Sequence, residues 1–221
     1  MQTISAVPSE RDTHLTETIR ERYERIAPFY DWMESLSEQR FRPWREKLWS
    51  RVSGSHVLEV GVGTGKNMPF YPSGISMTAI DLTLGMLQQA RRRVTGLHLE
   101  SQVDLRAGDA QQLEFPDAAF DSAVATFVFC SVPDPVLGLH ELRRVVKPGG
   151  RVLLLEHMRS SNPLLGALMD FLNPVVVRMM GANINRNTVD NVLLAGLKIE
   201  QIEDLGGGGI FKLITAHVPS R

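Results

Sequence analysis

H-V-L-E-V-G-V-G-T-G-K-N, residues His56 to Asn67, decides how this chain folds. It opens apolar and β-prone with Val57, Leu58 and Val60, then breaks into three alternating glycines, Gly61, Gly63 and Gly65. That pattern predicts a buried strand, a tight turn and the start of a helix. Alternating glycines let the backbone turn sharply and let a ligand approach where a Cβ would clash. A helix start adds unpaired N–H groups and a positive dipole end. The spacing excludes two phosphate readings. A dinucleotide fingerprint needs a small residue where Lys66 stands, and a P-loop needs Gly at Val60 and Ser or Thr at Asn67. What remains is an acid, Glu59, ahead of G-x-G-x-G. A carboxylate there repels a pyrophosphate and suits a ligand carrying positive charge. A glycine turn that binds nothing has the same local pattern, so the residues further on decide.

Further on, strands and helices alternate. A strand over about 75–80 ends at Asp81, and Leu82–Arg93 reads as a helix with Leu84, Leu87 and Ala90 inward. A strand near 102–106 leads into Gly108-Asp109-Ala110, and another spans about 121–127. A helix near 134–146 ends in the turn signal Lys147-Pro148-Gly149-Gly150. Arg151–Glu156 is almost wholly apolar, as a central parallel strand should be. Two last strands near 197–203 and 210–218 have so short a link, through Gly206–Gly209, that they form an antiparallel pair. The expected fold is α/β, a doubly wound, mostly parallel seven-stranded sheet with N-terminal amphipathic helices.

Ligands of such sheets bind outside the carboxyl ends of the strands. The residues there are Glu59, Gly61, Gly63 and Gly65, then Asp81 and Leu82, Asp109 and Ala110, Thr126 and Phe127, and Glu156 and His157. A carboxylate at the second strand's end can hold the two hydroxyls of a ribose. With glycine turn, acid before it and acid after strand two, the sequence resembles the class I S-adenosylmethionine (SAM) methyltransferases. The resemblance implies SAM as cofactor, a strand order of 3-2-1-4-5-7-6, and an adenine contact for Asp109, whose alternative is the N-cap of a short helix. It runs from about Arg20 to Val218. G-D-A-Q-Q-L-E-F-P-D-A-A-F-D (108–121), V-V-K-P-G-G-R-V (145–152) and Y-E-R-I-A-P-F-Y-D-W-M (23–33) look like the branch of quinone C-methyltransferases and bacterial phosphatidylethanolamine N-methyltransferases. The quinone enzymes typically carry L-E-F where this chain has Leu155-Glu156-His157. N-I-N-R-N-T-V-D-N (183–191) and G-I-F-K-L-I (209–214) look closer to the phospholipid type, and a thiol S-methyltransferase branch has a similar L-E-H.

Composition sets bounds. A chain of 221 residues can bury one sizeable core, and a net charge of −1 gives no reason to expect a nucleic-acid partner. One cysteine, Cys130, excludes an intramolecular disulfide and, with no signal peptide visible, points to a cytosolic setting. Six scattered histidines lack metal-ligand spacing, so no metal is expected. No apolar run reaches the length of a membrane span.

Two segments bear on the acceptor. Residues 1–52 read as a helical lid or membrane-contacting segment before a cofactor core at 53–221, after a polar, unpatterned start over residues 1–10. Leu15, Ile19, Tyr23, Ile26 and Tyr30 recur at helical spacing until Pro28 ends or kinks the helix. In 39–52, Arg40, Arg42, Arg45, Lys47 and Arg51 mingle with Phe41, Trp44, Leu48 and Trp49. That suits an anionic membrane interface, or equally a helix with a solvated basic face and tryptophans in the core. An apolar insert at about 160–190, interrupted at Asn173-Pro174, reads either as a greasy wall with Met169, Met179 and Met180 for an acyl or prenyl chain, or as a core helix or dimer interface.

The leading expectation is an enzyme, cytoplasmic and peripherally membrane-associated, that N-methylates phosphatidylethanolamine. The alternatives are C-methylation of a prenylated quinone, S-methylation of a small thiol, or a non-catalytic SAM-binding protein. An ammonium acceptor must lose a proton first, for which His157, then Tyr23 and Tyr30, are the candidate bases; aromatic faces also attract a quaternary ammonium. Arg186 is the candidate for a lipid phosphate.

Overall fold

The computed structural model describes residues 8–160, 162–180 and 182–220. The chain runs α1 (Glu10–Ile26), a 3-10 turn (Ala27–Phe29), α2 (Tyr30–Met33), α3 (Ser35–Trp49), β1 (His56–Val60), β2 (Ser76–Asp81), α4 (Leu84–Gly96), β3 (Val103–Ala107), β4 (Phe120–Thr126), α5 (Pro135–Val145), β5 (Val146–His157), α6 (Pro163–Met180), α7 (Thr188–Leu194), β6 (Lys198–Gly206) and β7 (Phe211–His217). The sheet order is β3-β2-β1-β4-β5-β7-β6, with β7 antiparallel to both neighbours. This is the expected doubly wound sheet.

Period-two alternation splits the apolar residues between two layers. Leu58, Val60 and Leu154 face the layer that holds α5 and α7 residues such as Leu139, Leu142 and Val192. Val57, Leu153 and Leu155 face the layer that holds Leu48 and Trp49 of α3 and Leu87, Ala90 and Val94 of α4. β1 lies between β2 and β4, so the glycine turn emerges at the middle of the sheet's carboxyl edge, where the strand order reverses.

Four local expectations need correction. No α-helix follows the glycine turn: residues 63–67 form turns, and only a 3-10 turn, Met68–Phe70, comes after. Gly61, Gly63 and Gly65 all have positive φ, and Pro69 and Pro72 leave too little chain to repay helix nucleation. Lys147-Pro148-Gly149-Gly150 does not precede β5 but bulges within it, between the pairs Phe120↔Val146 and Ser122↔Arg151. The unpatterned start is shorter than expected: Ser9 caps α1 in a reciprocal capping box with Asp12, while residues 1–7 lie outside the described structure. Leu84, expected inward, is exposed at the first turn of α4.

The basic aromatic segment is built into the body of the protein. Trp49 is 1% exposed and packs at a tilt against Tyr71, ring centres 4.6 Å apart, and Trp44 packs on Phe41 and Phe211. Lys47 and Arg51 both pair with Glu203, and Arg45 pairs with Glu38. Exposed apolar side chains lie just before it instead, at Phe29, Trp32 (79%), Met33 and Leu36 (88%). A second exposed set, Leu164, Leu168, Phe171 and Val175, recurs at helical spacing on α6, whose helix continues through Pro174. Met169 is buried; the side chains of Met179 and Met180 lie outside the described structure. No helix among the described residues is long and apolar enough to cross a membrane.

Candidate active site

The turn after β1 is closed by its own backbone and by β2. Val62 N donates to Ile80 O at 2.9 Å, Gly65 N to Val62 O at 2.9 Å, and Gly63 N to Asp81 Oδ2 at 2.8 Å. Asp81 Oδ1 accepts from Thr83 N (2.9 Å) and Thr83 Oγ1 (2.6 Å), an Asx turn that fixes the carboxylate at the end of β2. An ionised carboxylate offers about four acceptor positions. Three are used, so one stays open on Oδ2. Burial raises the pKa of Asp81, against the lowering by its bonds from Thr83 and Gly63.

Asp109 repeats the device after β3: its Oδ1 accepts from Gln111 N at 2.8 Å. It is thus an Asx turn and not the N-cap of a helix. The buried Gln111 side chain reaches outward, donating from Nε2 to Thr16 Oγ1 of α1 at 2.9 Å and accepting from Asp134 N at 2.9 Å. α1 itself buries no residue. It is held by polar ties: Thr16 to Gln111, the Tyr23 hydroxyl to Ser131 Oγ (2.9 Å), Glu24 to Gly85 N at the start of α4, and Arg22 Nη1 to Val177 O of α6 (3.0 Å).

Beneath α1 the space between these turns measures about 770 Å³, open mouth included. Tyr23, Tyr30, Gly61, Gly63, Asp81, Leu82, Asp109, Ala110 and Thr126 all line it, together with Thr16, Ile19, Met86 and Phe127. A smaller cavity shares Tyr30, Gly61, Gly63, Thr126 and Phe127 and adds Glu34, Arg45 and Lys66, side chains of both charges. Lys66 Nζ sits 2.8 Å from Glu34 and 5.2 Å from the Tyr30 ring centre.

The other expected site residues lie outside this lining. Glu59 has the strand parity of Val57 and is buried under the turn. Its Oε1 accepts from Asn67 Nδ2 at 2.6 Å and its Oε2 from the Tyr71 hydroxyl, and Asn67 Oδ1 accepts from Arg45 at 2.8 Å. Burial pushes this acid up to about 7, with the bonds from Tyr71 and Asn67 opposing. Gly65 supports the turn: a β-carbon there would meet Met68 at 2.7 Å. His157 packs 6.3 Å from the Phe127 ring, its pKa lowered by burial. Arg186 donates to the carbonyls of Val132 (2.9 Å) and Pro133 (3.5 Å), bracing the loop after β4. Tyr23 and Tyr30, which do line the cavity, have hydroxyls raised above the ordinary tyrosine value, chiefly by burial.

An open carboxylate acceptor at the second strand, glycines whose backbone faces a cavity, apolar surfaces under α1 and an annex of mixed charge suit a nucleoside joined to a zwitterionic chain. At the carboxyl edge of a 3-2-1-4-5-7-6 sheet, that is the kind of site the resemblance to the class I SAM methyltransferases implies. A family model for a methyltransferase domain matches residues 58–154. The chain is 37% identical over 165 residues to a phosphatidylethanolamine N-methyltransferase of Cereibacter sphaeroides, covering 73% of this chain and 79% of that protein. It is 33% identical to a demethylmenaquinone methyltransferase of Renibacterium salmoninarum, over 75% and 68% of the two chains. The structure of the [4+2]-cyclase SpnF superposes with a TM-score of 0.77 at 17% identity over 100% of both chains. The geranyl diphosphate C-methyltransferase of Streptomyces coelicolor does so with 0.66 at 16% identity, over 81% of this chain and 80% of that one. At those identities the two structures speak for the fold alone. The chain belongs to the SAM-dependent methyltransferase family that holds both curated relatives, and S-adenosyl-L-methionine is its cofactor.

Proposed function

We propose that the enzyme N-methylates phosphatidylethanolamine at a lipid surface. The carrying observation is that one short stretch does two things: it places Tyr30 in the cavity lining and exposes Phe29, Trp32, Met33 and Leu36 beside it. An acceptor with a polar head and an apolar tail fits that arrangement. The 37% identity to the phosphatidylethanolamine enzyme supports the amine as the head. The relatives named for demethylmenaquinone favour a second reading, C-methylation of a prenylated quinone, which the same exposed apolar residues suit.

In this reading Asp81 holds the ribose hydroxyls, and Asp109, Ala110 and Leu82 hold the adenine under Ile19 of α1. Gly61 and Gly63 give backbone contact, and Thr126, Arg45, Lys66 and Glu34 receive the amino-acid end. SAM supplies a methyl group already activated on a sulfonium. The protein's part is to shut out water with α1 and hold the acceptor at attack distance. Desolvation among Tyr23, Tyr30 and Phe127 lowers the pKa of an entering ammonium, so that it gives its proton to water at the open mouth before α1 closes. The neutral amine then takes the methyl group as the C–S bond to S-adenosylhomocysteine breaks, and a product quaternary ammonium is attracted by the same ring faces. The high tyrosine pKa values disfavour a tyrosinate base, and the proposed chemistry uses neither His157 nor Arg186. Residues 10–26 act as the lid; α6 and the 29–36 stretch form the lipid-facing side.

Tyr23→Phe tests the lid. Loss of one hydrogen bond, roughly 0.5–1.5 kcal/mol, should raise the KM for SAM about two- to tenfold and leave kcat close to wild type. A collapse of kcat at unchanged KM would instead make Tyr23 the base. The acceptor is tested with labelled SAM and four candidates: vesicles with phosphatidylethanolamine, vesicles without it, a prenylated quinone precursor and a small thiol. Label in mono- or dimethylated phosphatidylethanolamine is expected; label only in the quinone or the thiol overturns the phospholipid reading.

A further inference from the structure

Glu156, near the end of β5, is fully buried, and the chemistry above gives it no part. Its Oε1 accepts two backbone bonds from the loop after β4, Val128 N at 2.9 Å and Phe129 N at 3.0 Å. β5 takes a third, from Phe127 N to Leu155 O at 2.8 Å. These bonds hold an unfavourable turn, since Phe127 has φ +57, the left-handed region that a side chain rarely adopts. The held residues are walls of the site. Phe127 lines both cavities, and Val128 lies against the glycine turn, so that a β-carbon on Gly61 would fall 2.4 Å from its Cγ2.

We propose that Glu156 is a positioning residue of the cofactor site, which sets the Phe127–Phe129 wall over the glycine turn through its two backbone hydrogen bonds. It needs an acceptor oxygen there and not a charge. Oε1 makes both bonds and Oε2 has no partner among the described residues, so the role asks for one acceptor oxygen; burial pushes the acid up to about 7, against the lowering by the Phe129 and Val128 bonds. Cys130, itself buried beside Ser131, is a titratable neighbour, and burial pushes its thiol up to about 12, so it is a neutral thiol at neutral pH. The inference rests on the cavity being the SAM site and is independent of which acceptor is methylated.

Glu156→Ala and Glu156→Gln test it by SAM titration calorimetry and steady-state kinetics, with Asp81→Ala alongside. Alanine is expected to raise both the Kd and the KM for SAM about tenfold or more, since it orphans the part-buried Val128 N–H and the buried Phe129 N–H and frees the strained turn, with kcat at saturating SAM within about threefold of wild type. Glutamine, whose Oε1 still accepts both bonds, is expected to stay within about threefold in all three constants. Unaltered SAM binding in Glu156→Ala, or a glutamine variant as damaged as the alanine one, overturns the inference. If Asp81→Ala binds SAM normally, the reading of the cavity itself has failed. Should Glu156→Ala not fold, Val128→Ala carries the test: weaker SAM binding at a melting temperature close to wild type supports the positioning role, and unchanged binding overturns it.

Discussion

Asp81→Ala is expected to weaken SAM binding by about a hundredfold or more and to lower turnover in step, while the protein stays folded. The magnitude follows from the one charge-assisted hydrogen bond that the open Oδ2 position can take from a ribose hydroxyl, worth roughly 1.5–3 kcal/mol, together with about 1–3 kcal/mol for the Gly63 N–H left without its partner. The same carboxylate also holds Gly63 N at 2.8 Å and Thr83, so its loss loosens the turn as well as removing the ligand's partner. Calorimetry with SAM separates this from unfolding, provided that the circular dichroism melt is recorded beside it. Asp81→Asn keeps one acceptor oxygen and should fall between wild type and alanine. Because burial raises the Asp81 pKa, SAM affinity should fall on the acid side, as the carboxylate gains its proton and loses acceptor strength. A ligand affinity indifferent to both substitutions would mean that the ribose is held elsewhere.

Gly61→Ala should be the more destructive of two methyl additions to the same turn. At Gly61 the new β-carbon falls 2.4 Å from Val128 Cγ2 and φ is +68, so backbone strain of about 1–2 kcal/mol adds to an overlap that must push the β4 loop away. A clearly lower melting temperature and no detectable SAM binding are expected. At Gly63 φ is +56 but no heavy atom lies within 4 Å of the added carbon, which points into open space beside the cavity. Gly63→Ala should therefore cost only the strain in stability, about 1–2 kcal/mol, and lose SAM affinity because its methyl group occupies the ligand's side. Thermal melts paired with calorimetry on the two variants check this. Equal destabilisation of both would contradict the packing described for Val128.

The sheet and the cofactor side of the cavity were legible because both rest on short-range pattern. Strand ends are marked by abrupt changes from apolar to glycine or acid, as at Val60-Gly61, Ile80-Asp81 and Gly108-Asp109, and those ends line the cavity. The glycine turn itself has the look of a helix start, although Pro69 and Pro72 stand too close behind it for a helix to form. Period two also places Glu59 with Val57, away from the cavity, and its position before the glycines concealed this. What no pattern carries is contact across the chain. Gln111 reaches Thr16 over 95 residues and Tyr23 reaches Ser131 over 108, and these ties decide that α1 covers the cavity. His157 looks available at a strand end, yet it lies half-buried against the ring of Phe127 and outside the cavity lining, which only the folded sheet reveals. The tryptophans at 44 and 49 were ambiguous for the same reason, since Tyr71 and Phe211, which cover them, lie far along the chain.

The most direct measurement is a crystal structure of the enzyme with S-adenosylhomocysteine, the product left by methyl transfer. The ribose hydroxyls should lie within hydrogen-bond distance of Asp81, with the adenine beside Asp109 and Ala110 under α1 and the amino-acid end against Gly61 and Gly63, towards Lys66 and Glu34. A ligand bound away from this cavity, or seated in it with Asp81 out of reach of the ribose, would contradict the site derived from these turns.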